Sequence, residues 1–267
     1  MNHQAFSLVY DYADPFVKKI LAPLVTEFPI DLFGVNLTFD ELLEVKVSIT
    51  GINLNRFTLN PIPKTVKRIS GEGITLKNLP PNLEILKLSA SYLDVNCVPE
   101  SLKQLELTDV TTELTDFCNV DYIYLNNVDF LRPTNSIKLS SKEIMLEHMN
   151  GIIYAELSAE NIQIYNCSNI SSDLKYKIDC ETLELYNVTD IIMSDVSCKE
   201  FRATKSIISC LPKNVELIDL SECFVLKYEP TNGIKTFIYT GEFSVEMEYP
   251  ESLKMCKINN VTMFPKI

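Results

Sequence analysis

The residues of this chain best suited to grip another molecule are tyrosines set among carboxylates. Tyr122, Tyr124, Met145, Tyr165 and Tyr186 fall between Glu106, Glu143, Glu147, Glu181 and Glu184. Large rings surrounded by charge have the composition of a protein-binding hot spot. The phase of the apolar residues around them, set out below, places all of them on one outward face, with His148 alongside. A plainer account uses the same residues: tyrosine favours strands, and exposed strands carry carboxylates for solubility. The sequence leaves both open. If the patch does bind, its acidic surround predicts a protein or peptide partner with a basic segment.

Covalent catalysis needs a nucleophile with a base in hydrogen-bond reach, and the chain has only 2 histidines, His3 and His148. Glu147 beside His148, with Tyr165 one repeat later, makes an acid–base pair conceivable and keeps an enzyme as an alternative. No glycine-rich phosphate loop, nucleophile elbow or metal motif accompanies them. The sequence therefore reads as a non-enzymatic protein with no cofactor and no metal. The 8 cysteines contain no C-x-x-C pair and no cysteine–histidine cluster at metal spacing. Cys167, Cys180, Cys198, Cys223 and Cys256 fall at inward repeat positions and are expected to be buried, reduced and unreactive.

What must position these residues is a repeat. In PESLKQLELTDV, residues 99–110, the apolar side chains Leu102, Leu105, Leu107 and Val110 have the spacing L-x-x-L-x-L-x-x-V. The L-x-L core has the two-residue period of a strand with one buried face. The same template fits from about residue 42 onward. Its central position is taken by Val45, Ile69, Leu86, Leu105, Ile123, Ile144, Ile162, Leu183, Phe201, Ile218, Phe237 and Cys256, all apolar, at intervals of about 19 residues. Two residues later only Gly71 lacks a side chain to pack, and three residues before the centre only Ser141 is polar. Residues between and after the inward pair then point outward and stack coil upon coil, about 4.8 Å apart.

A coil this short has no room for a full helix on its return. Pro63, Pro80, Pro99, Pro212 and Pro250, six residues before their centres, suggest extended or polyproline-like returns. Residues 1–41 do not carry the repeat. There Asp14 before Pro15 is a helix start, and Phe16, Ile20, Leu21, Leu24, Val25 and Phe28 form one apolar stripe that Pro23 kinks or divides. Such a segment reads as a helical N-terminal cap on the array at 42–267. The last coil brings no comparable cap, so its edge strand is expected to be covered by the local tail, a second copy or a partner.

Over roughly residues 42–264 the chain resembles the leucine-rich repeat superfamily. Runs such as LPPNLEILKL and LPKNVELIDL look like the short repeats of bacterial secreted effectors of the IpaH and YopM type, and of some repeat proteins of lower eukaryotes. The resemblance implies an α/β-type solenoid: a leucine-rich repeat horseshoe of about twelve short parallel strands with a mostly non-helical convex side. It also implies a binding scaffold, whose concave face would carry the tyrosine patch, as in the substrate-reading part of a ubiquitin ligase; a spacer with no single hot spot is the alternative. The ligase domain that some of these effectors carry has no counterpart here. The family's asparagine ladder is largely replaced: its position reads Ser91, Val110, Val128, Met149, Cys167, Val188, Ser206, Cys223, Glu242 and Val261. Valine and cysteine are expected to fill that volume without supplying hydrogen bonds, and Asn127, Asn166, Asn187 and Asn260, one residue earlier, are candidates to replace them.

Composition narrows the partners. With 46% hydrophobic and 22% charged residues the chain can bury a core. A net charge of −12 argues against a phosphate-binding surface, so neither nucleic acid nor an anionic membrane is expected as a partner. The first residues lack a basic start followed by an apolar run, from which an intracellular location is expected. The sequons at Asn36, Asn166, Asn169, Asn187 and Asn260 are accordingly expected to be unmodified.

Overall fold

The structure is a computed structural model that describes residues 13–25, 29–33, 35, 41–42, 45, 47–55, 62–131, 137–149, 155–168, 177–189, 196–212, 214–227, 233–242, 250–259 and 261–263. Two compact units divide the chain: Met1–Leu114 with Val128–Leu131, and Thr115–Asn127 with Arg132–Ile267. Each is a run of parallel β-solenoid.

Among the described residues the first element of the first unit is α1 (Pro15–Leu21), capped by Asp14, whose side chain accepts from the Val17 N–H at 3.0 Å. Pro23 divides the segment as expected, the chain passing at Ala22 into a single 3-10 turn, Ala22–Leu24. The helical cap expected over 1–41 is not what the structure shows. α1 buries none of its own residues, and Phe16 is 72% exposed. Phe28 lies outside the described residues, as does the side chain of Leu24. A strand stands at the start of the array instead: β1 (Ile30–Asp31) pairs in parallel with β2 (Ile49–Asn55), burying Ile30 and Leu32.

Three coils follow, each with a longer and a shorter strand: β3 (Arg68–Glu72) and β4 (Thr75–Leu76), β5 (Ile85–Ser89) and β6 (Tyr92–Leu93), β7 (Gln104–Thr108) and β8 (Thr111–Thr112). After β9 (Asp116–Asn126), which belongs to the second unit, β10 (Asp129–Phe130) returns to the first and extends the row β4–β6–β8. Ile52 pairs with Ile69, Ile69 with Leu86 and Leu86 with Leu105, all fully buried. The first centre is therefore Ile52, not Val45, which lies outside any strand. Gly71 leaves no void, since a Cβ there would meet Cδ1 of buried Ile74 at 2.5 Å.

The second unit continues through β11 (Ile137–Glu147), β12 (Ala155–Tyr165), β13 (Lys177–Tyr186), β14 (Val196–Ser197), β15 (Glu200–Thr204), β16 (Ile207–Cys210), β17 (Leu217–Ser221), β18 (Phe224–Lys227), β19 (Thr236–Thr240), β20 (Met255–Ile258) and β21 (Val261–Met263). Its main sheet runs in the order β9-β11-β12-β13-β15-β17-β19-β20-β21, and Ile123, Ile144, Ile162, Leu183, Phe201, Ile218, Phe237 and Cys256 stand in register as expected. β21 pairs antiparallel with β20, so the local tail covers the edge strand of Cys256. Phe264 lies outside the described residues.

A single row of about twelve strands of three to five residues, in a leucine-rich repeat horseshoe, does not describe this architecture. Returns carry their own short strands, and β9, β11 and β12 each have 11 residues. Proline accounts for much of the difference. At Pro63, Pro80, Pro99 and Pro250 the P-x-x-Φ run, with Φ apolar, closes a turn rather than a polyproline return: the carbonyls accept from Val66, Leu83, Leu102 and Leu253 at 3.0–3.1 Å. Each turn ends just before a main-sheet strand of 4 or 5 residues. Coils with Phe117, Lys138, Glu156 or Lys177 in the proline's place keep a backbone N–H and a free φ, and there the strand extends backward through the position.

One corner recurs after most strands of the main sheet. φ is 50° at Asn127, 49° at His148, 51° at Asn166, 52° at Asn187, 51° at Lys205 and 53° at Glu222. Asparagine tolerates this left-handed turn better than most residues, which explains its recurrence there. Corner N–H groups bond forward, from Asn127 to the Glu147 carbonyl at 3.0 Å and from Asn187 to that of Thr204 at 2.9 Å. In the next, inward position sulfur does more than fill volume. Cys167 Sγ accepts from the Met149 N–H at 3.3 Å and donates to the Tyr165 carbonyl at 3.1 Å, while Ser206 Oγ accepts from Val188 N–H at 3.1 Å. A thiol and a hydroxyl take over what an asparagine ladder would supply.

Candidate protein-binding face

Strand alternation turns every second residue of the main sheet away from the core. In the second unit this produces two adjacent outward rows. Tyr124, Met145, Gln163, Glu184 and Arg202 form one; Asn126, Glu147, Tyr165, Tyr186 and Thr204 form the other, each residue in register with the next. Tyr122 lies across from Glu143, and His148 occupies the corner after β11. Eight of the expected site residues, Tyr122, Tyr124, Met145, Glu147, His148, Tyr165, Glu184 and Tyr186, thus share one face of this unit. The ninth, Glu106, belongs to the first unit, where Lys87 Nζ stands 2.9 Å from its carboxylate and Gln104 donates to it at 2.6 Å.

Tyr124 Oη donates to Glu147 Oε2 at 2.7 Å and accepts from Asn126 Nδ2 at 3.1 Å. Asn126 Oδ1 in turn lies 3.3 Å from His148 Nδ1, which stands 3.7 Å from Glu147. Burial, then the Glu147 carboxylate, pushes the Tyr124 phenol up; burial, then Glu184, does the same for Tyr165. Both rings therefore stay neutral at physiological pH. The Tyr165 and Tyr186 rings lie 6.2 Å apart at 41°, and Tyr186 is 41% exposed. Glu184 accepts from Gln163 at 3.1 Å and from Arg202 at 3.2 Å.

Two residues before the strand centres runs a charge column that the sequence reading missed. In the first unit Lys67 stands 3.0 Å and Lys103 3.6 Å from Glu84; in the second, Lys142–Asp121 is 2.7 Å, Lys199–Glu181 2.5 Å and Lys235–Glu216 2.7 Å. Farther back, Asp116, Lys138, Glu156 and Lys177 also alternate in sign in register. The signal was present as opposite charges at one repeat position. It removes Glu181 from the free carboxylates, whereas Glu143 stays exposed.

Cys167, Cys198, Cys223 and Cys256 are buried as expected, but Cys180 is half-buried. Its neighbour on β12 is the small Ala159, which covers little of it. Burial pushes the Cys167 thiol up to about 11, far from a reactive thiolate. Among the described residues no three His, Cys, Asp or Glu side chains converge on a metal-sized space, and no helix is long and apolar enough to cross a membrane. No family model, no curated protein and no solved structure matches this chain.

Proposed function

We propose that the outward face of the second unit is a non-enzymatic recognition surface for a protein or peptide with a basic segment. The observation that carries this reading is the Tyr165–Tyr186 pair, two rings 6.2 Å apart on neighbouring strands, the second 41% exposed, beside Glu147. Paired rings on a rigid sheet offer a partner apolar area at little entropic cost, and the carboxylates attract a basic approach. Membership of the leucine-rich repeat superfamily, an intracellular setting and a role in substrate reading for a ubiquitin ligase are further parts of the proposal. They rest on repeat spacing and composition. Capture of a partner by the full chain, repeated with Tyr165→Ala/Tyr186→Ala, tests it: loss of the same partner from a folded variant supports the reading, and unchanged retention rejects it.

The charge columns favour a second reading, a structural spacer whose outward residues serve register and solubility. Opposite charges stacked coil on coil would meet like charges if a strand slipped by one coil. A spacer would yield no partner lost on substitution of the tyrosines.

A further inference from the structure

We propose that Cys180 and Cys198 form a dithiol site that closes to a disulfide between neighbouring coils by exchange with a low-molecular-weight disulfide of the glutathione type. Ile178 pairs with Val196 and Asp179 with Ser197, and the register resumes at Thr182 with Glu200. The intervening residues therefore stand opposite one another, Cys180 against Cys198, with the Lys199 N–H bonded to the Glu181 carbonyl at 2.9 Å directly after them. Neighbouring strands lie about 4.8 Å apart, inside the span of about 4.4–6.8 Å between Cα atoms that a disulfide bridges. Both side chains occupy the inward position three residues before their strand centres, Leu183 and Phe201.

The surroundings leave room for the bond and divide the roles. Cys180 has only Ala159 on its other side, and Cys198 sits in the short break between β14 and β15, where the backbone is not tied into a long ladder. Cys180 is half-buried and reachable, whereas Cys198 is 2% exposed. The neighbouring Cys180, then burial, pushes the Cys198 thiol up. Cys180 is thus the attacking sulfur. As thiolate it displaces one glutathione from the oxidised dimer and forms a mixed disulfide; Cys198, losing its proton, then attacks the Cys180 sulfur and expels the second glutathione. Two protein thiols are oxidised and one small disulfide is reduced to two thiols, so electrons and protons balance. The product ties β13, the strand bearing Glu184 and Tyr186, to the coil after it.

Folded full-length chain is incubated with oxidised glutathione, quenched by alkylation, and read by intact mass and a non-reducing peptide map. The expected product is lighter by two hydrogens, carries a Cys180–Cys198 linked peptide, reverts with dithiothreitol and melts at a higher temperature. Cys198→Ala should instead stall with glutathione held on Cys180, and Cys180→Ala should leave position 198 unmodified, so either variant alone keeps the test decisive if the other does not fold. Unchanged mass, a lasting adduct on Cys180 of the parent chain, or a link joining any other pair of cysteines overturns the proposal.

Discussion

The two units share their inward chemistry and differ on the outward face. Ile69, Leu86 and Leu105 in the first are as completely buried as Ile123, Ile162 and Leu183 in the second. Outward, the first unit presents Ser70, Lys87 and Glu106, with Ser89 and Thr108 beside them; the second presents Tyr124, Met145 and Glu184, with Glu147, Tyr165 and Tyr186. Inward residues hold the coil and leave outward ones free, so the same backbone can carry a solvated strand or an aromatic shelf. The shelf coincides with the long strands β9, β11, β12 and β13, which prolong the rigid surface behind it.

The largest effects should come from the shared inward column. Phe201→Ala empties a fully buried site and should cost about 3–5 kcal/mol, and Leu86→Ala about 2–5 kcal/mol, both read as lowered urea midpoints. If either melts like the parent, inward burial is not what the units have in common. Next comes the outward contrast. Tyr124→Ala/Tyr186→Ala should weaken partner binding by about 2 kcal/mol or more per ring, while Lys87→Ala in the first unit should leave it unchanged. Stability should move less, Tyr124 contributing about 1 kcal/mol through its bond to Glu147. Titration calorimetry beside thermal melts separates the two readouts; a double variant that melts far below the parent would place these rings in the core.

Within the second unit, Cys167→Ala removes the acceptor of the Met149 N–H and should cost about 1–3 kcal/mol, with Cys167→Ser recovering part of it. Equal stability of the two variants would show that the sulfur only fills space. At the corner, Asn187→Val forces a β-branched side chain into φ 52° and should cost about 1 kcal/mol, whereas Asn187→Gly should be nearly neutral. The smallest effect should be that of the charge columns. Lys67 and Lys103 hold Glu84 below the usual 4.5, and Lys235 does the same for Glu216, so their stabilisation is complete above that pH and is lost as pH falls through the lowered values. Asp121 holds Lys142, and Glu181 holds Lys199, above 10.5, a contribution complete below that pH and lost as pH rises through the raised values. Both ends of the resulting plateau in melting temperature should flatten with added salt.

The sequence alone determined the coil. An apolar residue at every centre after Val45, followed two residues later by an inward partner, sets which side chains are buried, because strand alternation leaves no other face for them; from this the outward placement of Tyr124, Tyr165 and Tyr186 also follows. At the corners the recurring Asn127, Asn166 and Asn187 mark a left-handed turn that asparagine tolerates, and His148, Lys205 and Glu222 carry the same turn with no such signal. Tertiary structure alone decided where strands end and which groups meet. The first centre moved from Val45 to Ile52 because pairing to Ile69, not hydrophobicity, picks the strand. α1 remained a short exposed helix because a stripe of apolar residues specifies a face but not a surface to receive it. The pairing of Lys199 with Glu181 and the opposition of Cys180 to Cys198 were legible as shared repeat positions, but only the register of the folded coils brings the partners together. Local periodicity fixes the direction of a side chain, and only register between distant segments fixes its neighbour.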